Sequence, residues 1–454
     1  MNHKERAVPA KNQITEGVIW KQLLAFFFPV LLGAFFQQLY NTVDAVIIGR
    51  FVGTNELAAV GGSTGTIINL LVGFFTGLAS GATVITARYY GAKDDESVGK
   101  AVHTGLLMAI SGGAILTVTG LLVGKMVLTW MSTPEEVLPH ALTYFNIYFL
   151  GMIPNLYYNI AAGILRAVGD SKRPLYILIC STLANVGLDL LFVVALRMSV
   201  LGVALATVLC QTLSAILTTL CLLKTGDSYR LSVKKLRFDR RMLRQIIHIG
   251  LPAAMQGVAY SMANIVIQSN INMLGSLTVA AYTAYTKIDC IFWMLLNAFG
   301  ISVSTFAGQN YGAGRMDRVK KSLWTCTGMA MGSAIILSTI LFFFGKYIYL
   351  LFTADTAAIE IGTRILRFMV PFYITYVLIE VMSGVLRAIG FVFTPMAITL
   401  FGVCALRLVW LFTYVPQNRS IYSILVSYPM SWILTSAMFL VYYFILVRKG
   451  KIRS

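Results

Sequence analysis

The chain has 454 residues, 57% of them hydrophobic and 12% charged, against roughly 45–50% and 25% in soluble domains, which excludes an ordinary soluble fold. Its net charge is +18, but the basic residues sit in short clusters between apolar runs, the signature of topology in a bilayer rather than of nucleic-acid binding. The six cysteines, Cys180, Cys210, Cys221, Cys290, Cys326 and Cys404, are scattered through apolar segments without metal-ligand spacing and read as small apolar side chains, not disulfides or zinc ligands.

The stretch from Met1 to Gly17 is polar and carries Lys4, Arg6 and Lys11. It lacks the apolar core and small-residue cleavage site of a secretory signal, so the first hydrophobic segment is expected to stay. Apolar runs bounded by charged or turn-rich breaks then predict six helices, over 18–49, 55–87, 98–124, 135–167, 174–196 and 200–224. Next comes the longest polar break, Lys224 to Arg244, which reads as a cytoplasmic linker in contact with anionic lipid, with Val233, Leu236 and Phe238 at the lipid surface. Six more helices follow, over 240–272, 277–309, 317–347, 356–387, 391–415 and 420–447. Each can cross a bilayer, which needs ~20 residues, and the longer ones can tilt or project beyond it. The organisation expected is a first lobe at 1–224, a linker at 225–239 and a second lobe at 240–454.

The two lobes echo each other. Gly163-Ile164-Leu165-Arg166-Ala167-Val168-Gly169 returns 221 positions later as Gly384-Val385-Leu386-Arg387-Ala388-Ile389-Gly390. Phe28-Pro29-Val30-Leu31 is answered by Leu251-Pro252-Ala253-Ala254, Leu57-Ala58-Ala59-Val60 by Val279-Ala280-Ala281-Tyr282, and Tyr90-Gly91-Ala92 by Tyr311-Gly312-Ala313. A duplicated, strongly apolar chain is the usual mark of a transporter that rocks one half against the other. Basic residues number about 27 on one side of the predicted membrane and about 7 on the other, which puts both termini in the cytoplasm. Six helices per half make the repeats parallel, related by a pseudo-two-fold axis along the membrane normal. The fold class expected is therefore an all-α, multi-pass protein of the plasma membrane, with twelve transmembrane helices in two six-helix lobes.

Charges at membrane depth are costly, so each needs an explanation. Asp44 in the first helix and Asp189 in the fifth both lie one to two turns from the outer end and share a level. Thr207 of the sixth helix lies near that level, Asn185 one turn below Asp189, and Gln37 about 10 Å below Asp44 on a similar face. No Lys or Arg stands at membrane depth in this half, since Arg50, Lys125 and Arg166 fall at helix ends. Two carboxylates without a basic partner must be neutralised by protons or a bound cation. The carboxylates, an Asn carbonyl and a Thr hydroxyl are hard oxygen donors that suit Na⁺, and the same groups can serve as a proton site. The alternative is that both acids sit hydrated near the interface, capping broken helices.

The second half differs: Lys287, Asp289, Glu380 and Arg407 sum to zero and can form a charge network through internal pairs. That network either locks the lobe or takes part in coupling. Pro29 and Pro252 sit inside the first and seventh helices, where each removes a backbone donor and favours a kink; Pro29 is a candidate hinge. No Walker A loop, catalytic triad or HExxH motif is present, so the chain is not expected to be an enzyme.

At these residues the chain resembles the multidrug and toxic compound extrusion (MATE) family over nearly its whole length. The matching features are Pro29, Gln37 and Asp44, the segments Leu57 to Val60 and Tyr90 to Ala92, Asn185-x-x-x-Asp189, the paired Leu-Arg-Ala-x-Gly motifs, and Gly308-Gln309-Asn310-Tyr311-Gly312-Ala313. The resemblance implies two lobes in a V around a central cavity. It also implies efflux of drugs, often cationic and amphipathic, driven by inward H⁺ or Na⁺. It assigns Asp44, Asn185, Asp189 and Thr207 to a first-lobe cation site, with Gln37 nearby. The chain looks like the DinF-like branch: Tyr260 and Tyr376 stand where the NorM-like branch has acids, so the resemblance does not automatically carry a second-lobe ion role over to Glu380. The expected partners are small-molecule substrates and lipid, with no nucleic acid, no cofactor beyond the coupling ion, and a monomeric state. Rival readings are a lipid-linked oligosaccharide flippase of the wider superfamily and a non-transporting membrane protein.

Overall fold

The computed structural model describes residues 13–352 and 355–452; Lys4, Arg6 and Lys11 lie outside the described residues. Every regular element among the described residues is helical. After a single turn at Gln13–Glu16, the first lobe consists of α1 (Ile19–Phe51), α2 (Thr54–Gly61 and Ser63–Gly91), α3 (Asp95–Trp130), α4 (Leu138–Leu150 and Met152–Ala167), α5 (Lys172–Asp189, then a π-helical turn Leu190–Ala195) and α6 (Ser199–Lys224). The second lobe consists of α7 (Arg240–Asn272), α8 (Ser276–Gly312), α9 (Met316–Tyr349), α10 (Thr356–Met369, Val370–Phe372, Tyr373–Ile389), α11 (Phe393–Thr399, a π-helical turn Leu400–Ala405, Leu406–Thr413) and α12 (Ile421–Leu425 and Ser427–Arg448). Ten of these are long and apolar enough to span a membrane. The other two are α4, interrupted at Gly151, and α7, whose C-terminal half carries polar residues from Gln256 to Asn272.

The repeated glycine-bounded motif has a local cause. Gly169 and Gly390 adopt left-handed φ values of 97° and 103°, a conformation open to glycine without the Cβ clash. Each ends its helix in the same hydrogen-bonded pattern: Asp170 N–H donates to Leu165 O at 2.9 Å and Phe391 N–H to Leu386 O at 2.9 Å, the Schellman closure. Gly390→Ala should therefore cost about 1–2 kcal/mol, read as a lower unfolding temperature of the purified protein.

The same helix ends hold the lobes together. Arg88, in the last turn of α2, donates from Nε to Ala388 O at 2.7 Å and from Nη2 to Arg387 O at 3.1 Å. Gln309, in the last turn of α8, donates from Nε2 to Ala167 O at 2.6 Å. The repeat offset carries Arg88 onto Gln309 and Ala167 onto Ala388, so the two contacts are one latch seen twice. Each lobe supplies a donor to the open carbonyls at the end of the other lobe's motif helix. The helices meet closely here, since a Cβ on Gly91 would run into the Gln309 carbonyl and one on Gly312 into the Arg88 carbonyl. The repeated Tyr-Gly-Ala segments thus mark the crossing point of α2 and α8.

Helix α1 belongs to both lobes. Its N-terminal half packs on the second: Phe27 stacks on Phe299 at 4.0 Å between centroids, and Phe26 meets Phe306 edge-on at 6.0 Å. Arg318 anchors the preceding turn through Gly17 O at 2.7 Å and Ile14 O at 3.0 Å. The C-terminal half, with Ile47 and Ile48, is buried in a first-lobe cluster with Phe145, Phe149 and Val203. Pro29 follows directly after the ring contacts of Phe26 and Phe27 with the second lobe. The segment after α6 is pinned to α3, where Ser232 N–H donates to His103 Nε2 at 3.0 Å and Asp239 N–H to Thr104 Oγ1 at 3.1 Å. Val233 and Phe238 are exposed, whereas Leu236 packs against the first-lobe core instead of facing lipid.

Candidate cation site in the first lobe

Four of the residues singled out from the sequence come together between α1, α5 and α6. Asp44, Asn185, Asp189 and Thr207 are all buried, Asn185 and Asp189 completely. Asp44 and Asp189 lie close enough to interact, with Asn185 and Thr207 beside Asp44. Thr207 donates from Oγ1 to Asp44 Oδ2 at 3.5 Å. The remaining donors and acceptors are unspent: Asp44 Oδ1, both oxygens of Asp189 and both side-chain polar atoms of Asn185 have no hydrogen-bond partner. Buried polar groups are nearly always satisfied in native structures, and an uncompensated buried charge costs several kcal/mol. No basic side chain pairs with either acid among the described residues. The residues present therefore fit a small hard cation or a proton shared between carboxylates, and they do not fit a hydrated helix cap.

Local structure explains the placement. Asp189 is the last α-helical residue of α5, at the point where the π-turn begins; such turns release backbone groups and are frequent at functional sites. Tyr40, one turn before Asp44, is half-buried beside Asp44 and Thr207 with its hydroxyl unpartnered. Tyr144 and Tyr148 close the site from α4, their rings 5.9 Å apart. These tyrosines were not singled out in the sequence. Tyr40 was open to discovery, since residues four apart share a helix face. Gln37 is exposed and sends no hydrogen bond to the cluster, so the structure does not bring it into the site.

The charge network expected in the second lobe does not form. No ion pair joins Lys287, Asp289, Glu380 and Arg407. Lys287 is exposed. Asp289 accepts from Trp293 Nε1 at 2.7 Å and from the Tyr373 hydroxyl. Arg407 is buried, its guanidinium 4.1 Å from the centre of the Tyr428 ring and Nη2 3.1 Å from Ser431 Oγ. Glu380 faces Arg387 in an inter-lobe cavity of 190 Å³ that Asn159, Arg166 and Asn297 also line. Aromatic and hydroxyl partners thus replace the expected internal pairs. Removing one donor should be costly: Tyr373→Phe leaves Asp289 short of a partner and should destabilise the lobe by about 1–3 kcal/mol, measurable by thermal unfolding. Tyr260 and Tyr376, on α7 and α10, join hydroxyl to hydroxyl at 2.9 Å.

Comparison with known proteins agrees with this architecture and with its duplication. The MatE family model matches the chain twice, over residues 29–191 and again over 252–413. The chain belongs to the MatE family. This is a family of membrane transporters and not of enzymes. The MatE chain is 27% identical over 447 residues to the probable multidrug resistance protein YoeA of Bacillus subtilis, covering 96% of this chain and 95% of the relative. It is 22% identical over 380 residues to the multidrug export protein MepA of Staphylococcus aureus, covering 83% and 81%. Its fold matches that of a multidrug resistance MATE family transporter described in an outward-facing conformation, with a TM-score of 0.91, 20% identity, and coverage of 98% and 99%. The twelve helices in two six-helix lobes are the fold of this family. The site at Asp44 and Asp189 lies within the first matched segment for α1 and α5, and Thr207 lies beyond it.

Proposed function

We propose that this MatE chain is a secondary antiporter of the plasma membrane that exports drug-like small molecules, often cationic and amphipathic, driven by inward flow of H⁺ or Na⁺. The chain acts as a monomer with both termini in the cytoplasm, the side on which its basic residues gather. The observation that carries this reading is a pair of buried carboxylates with unsatisfied oxygens and no basic partner. An intramembrane ionisable group of that kind is the usual mark of an ion pathway.

Asp44, Asp189, Asn185 and Thr207 hold the ion, and Tyr40 supplies a further hydroxyl. Loading changes the charge against which the outer half of α1 is packed, while the inner half stays seated on Phe299 and Phe306 of the other lobe. Pro29, where the helix lacks one backbone donor, absorbs the difference. An ion event in one lobe thereby acts on the contact between lobes, which is what alternating access requires. The Tyr260–Tyr376 pair, two neutral hydroxyls at a place where the NorM-like branch has acids, supports the DinF-like reading with a single ion site. An oligosaccharide flippase is the second reading, favoured by Arg166 and Arg387, which against one acid, Glu380, leave the inter-lobe cavity net positive.

The test is efflux of a fluorescent cationic dye from proteoliposomes with proton and sodium gradients imposed separately. One gradient is expected to accelerate efflux and the other to leave it unchanged. Equal rates with and without either gradient would overturn the antiport reading.

A further inference from the structure

A second cavity opens between the lobes beside the Arg88 latch, with a volume of 740 Å³, inside the ~300–1,000 Å³ range of small-molecule sites. It is lined from the first lobe by Arg88 and Tyr89 and from the second by Arg244, Gln245, His248 and Tyr311, and no carboxylate lines it. Neither of its arginines is spent on an acid: among the described residues, Arg88 and Arg244 form no ion pair. Arg88 uses Nε and Nη2 on the carbonyls across the interface and leaves Nη1 over. Arg244 and His248 are exposed and project from α7 opposite it. Tyr89 donates to Gln245 Oε1 at 3.1 Å, so neutral polar groups from both lobes surround the charges. The cleft lies at the basic end of the molecule, which the orientation proposed above turns toward the anionic inner leaflet.

We propose that this cleft binds a phosphate group, from an anionic phospholipid headgroup or a soluble phosphate, bridging Arg88 of one lobe to Arg244 and His248 of the other. Guanidinium groups are the side chains best matched to phosphate oxygens, and two of them beside an imidazole, with no acid in the lining, leave a net positive site. A ligand held from both sides binds only while the lobes are together here. It therefore shifts the population toward the latched state by its differential affinity. The site adds a regulatory contact, separate from the ion site near the other end of α1.

The full chain, freed of native cysteines and spin-labelled at the exposed positions Lys172 and Lys321, can be placed in nanodiscs of phosphatidylcholine with or without phosphatidylglycerol. A parallel arm uses phosphatidylcholine discs with added inorganic phosphate. The fraction at the short inter-lobe distance is expected to rise by roughly five- to tenfold with one of the two additions. A response to phosphatidylglycerol alone identifies the lipid headgroup, and a response to inorganic phosphate identifies a soluble ligand. R244Q/H248Q should lose the response, whereas R240Q/R241Q, two exposed arginines on the same helix outside the cleft, should keep it. The proposal is overturned if neither addition shifts the distance, or if R244Q/H248Q responds like the parent. The readout needs no transport, so its failure would leave the antiport reading standing.

Discussion

Asp44→Asn is expected to abolish the gradient-driven part of efflux while leaving the protein folded. Asparagine keeps the shape and can still accept from Thr207, so the 3.5 Å contact survives. It cannot take up and release a proton, and it offers a monovalent cation one carboxylate instead of two. The loss should fall in the roughly 5- to 150-fold range of coupling free energies. Thermal stability should be unchanged or higher, because a buried charge without a partner has been removed. Asp189→Asn should behave alike, since both Asp189 oxygens are equally unsatisfied. Efflux by Asp44→Asn that still follows the imposed gradient at the parental rate would remove the first-lobe site from the mechanism. A protein that fails to fold would show itself in the unfolding trace, and would be answered by Thr207→Ala, a milder change in the same site.

The second large effect is expected at the latch. Arg88→Ala deletes two charge-assisted hydrogen bonds between lobes, each worth about 1.5–3 kcal/mol. Gln309→Ala deletes one neutral bond, worth about 0.5–1.5 kcal/mol. The two changes are equivalent by the repeat but not in energy. Arg88→Ala should therefore loosen the interface far more than Gln309→Ala. Labelling of a cysteine introduced at Ser304, which lines the inter-lobe cavity, in a chain without native cysteines, measures this. The rate should rise by on the order of tenfold or more for Arg88→Ala, and by less for Gln309→Ala. Identical labelling in all three proteins would mean that these contacts do not control opening.

Much of this was legible in the sequence, for definite physical reasons. Hydrophobic runs and charge breaks located the twelve helices because the bilayer imposes length and apolarity, with the largest miss at α3, which runs six residues past its expected end at 124 to Trp130. The level of Asp44, Asp189, Asn185 and Thr207 followed from helical rise alone, and the structure brings these four together. The second-lobe network failed for an equally simple reason. Lys287 and Asp289 are two residues apart on one helix, so they point to nearly opposite faces, and net charge says nothing about direction. Arg407 found an aromatic ring, a partner that charge counting overlooks. The π-turn after Asp189 left no clear signal, whereas the interruptions of α2 and α4 fall on Gly61-Gly62 and Gly151, breakers that the apolar runs on either side masked. The motif glycines were visible as a repeat, but their role became clear only when the carbonyls they expose were seen to face the other lobe.

The reciprocal latch has a consequence for how such a chain could arise. Its contacts obey the rule of a two-fold dimer, in which the donor of each copy meets the acceptor of the other. The crossing of α2 and α8 obeys it too, with Gly91 against one backbone and Gly312 against the other. A single six-helix unit carrying Arg88, Gly91 and the Leu-Arg-Ala-x-Gly helix end already holds both halves of a self-complementary surface. Two copies of it could pair in the membrane before any linker joined them. In the joined chain the two copies differ: one carries an arginine and a pair of acids, and the other a glutamine and a ring-bound charge.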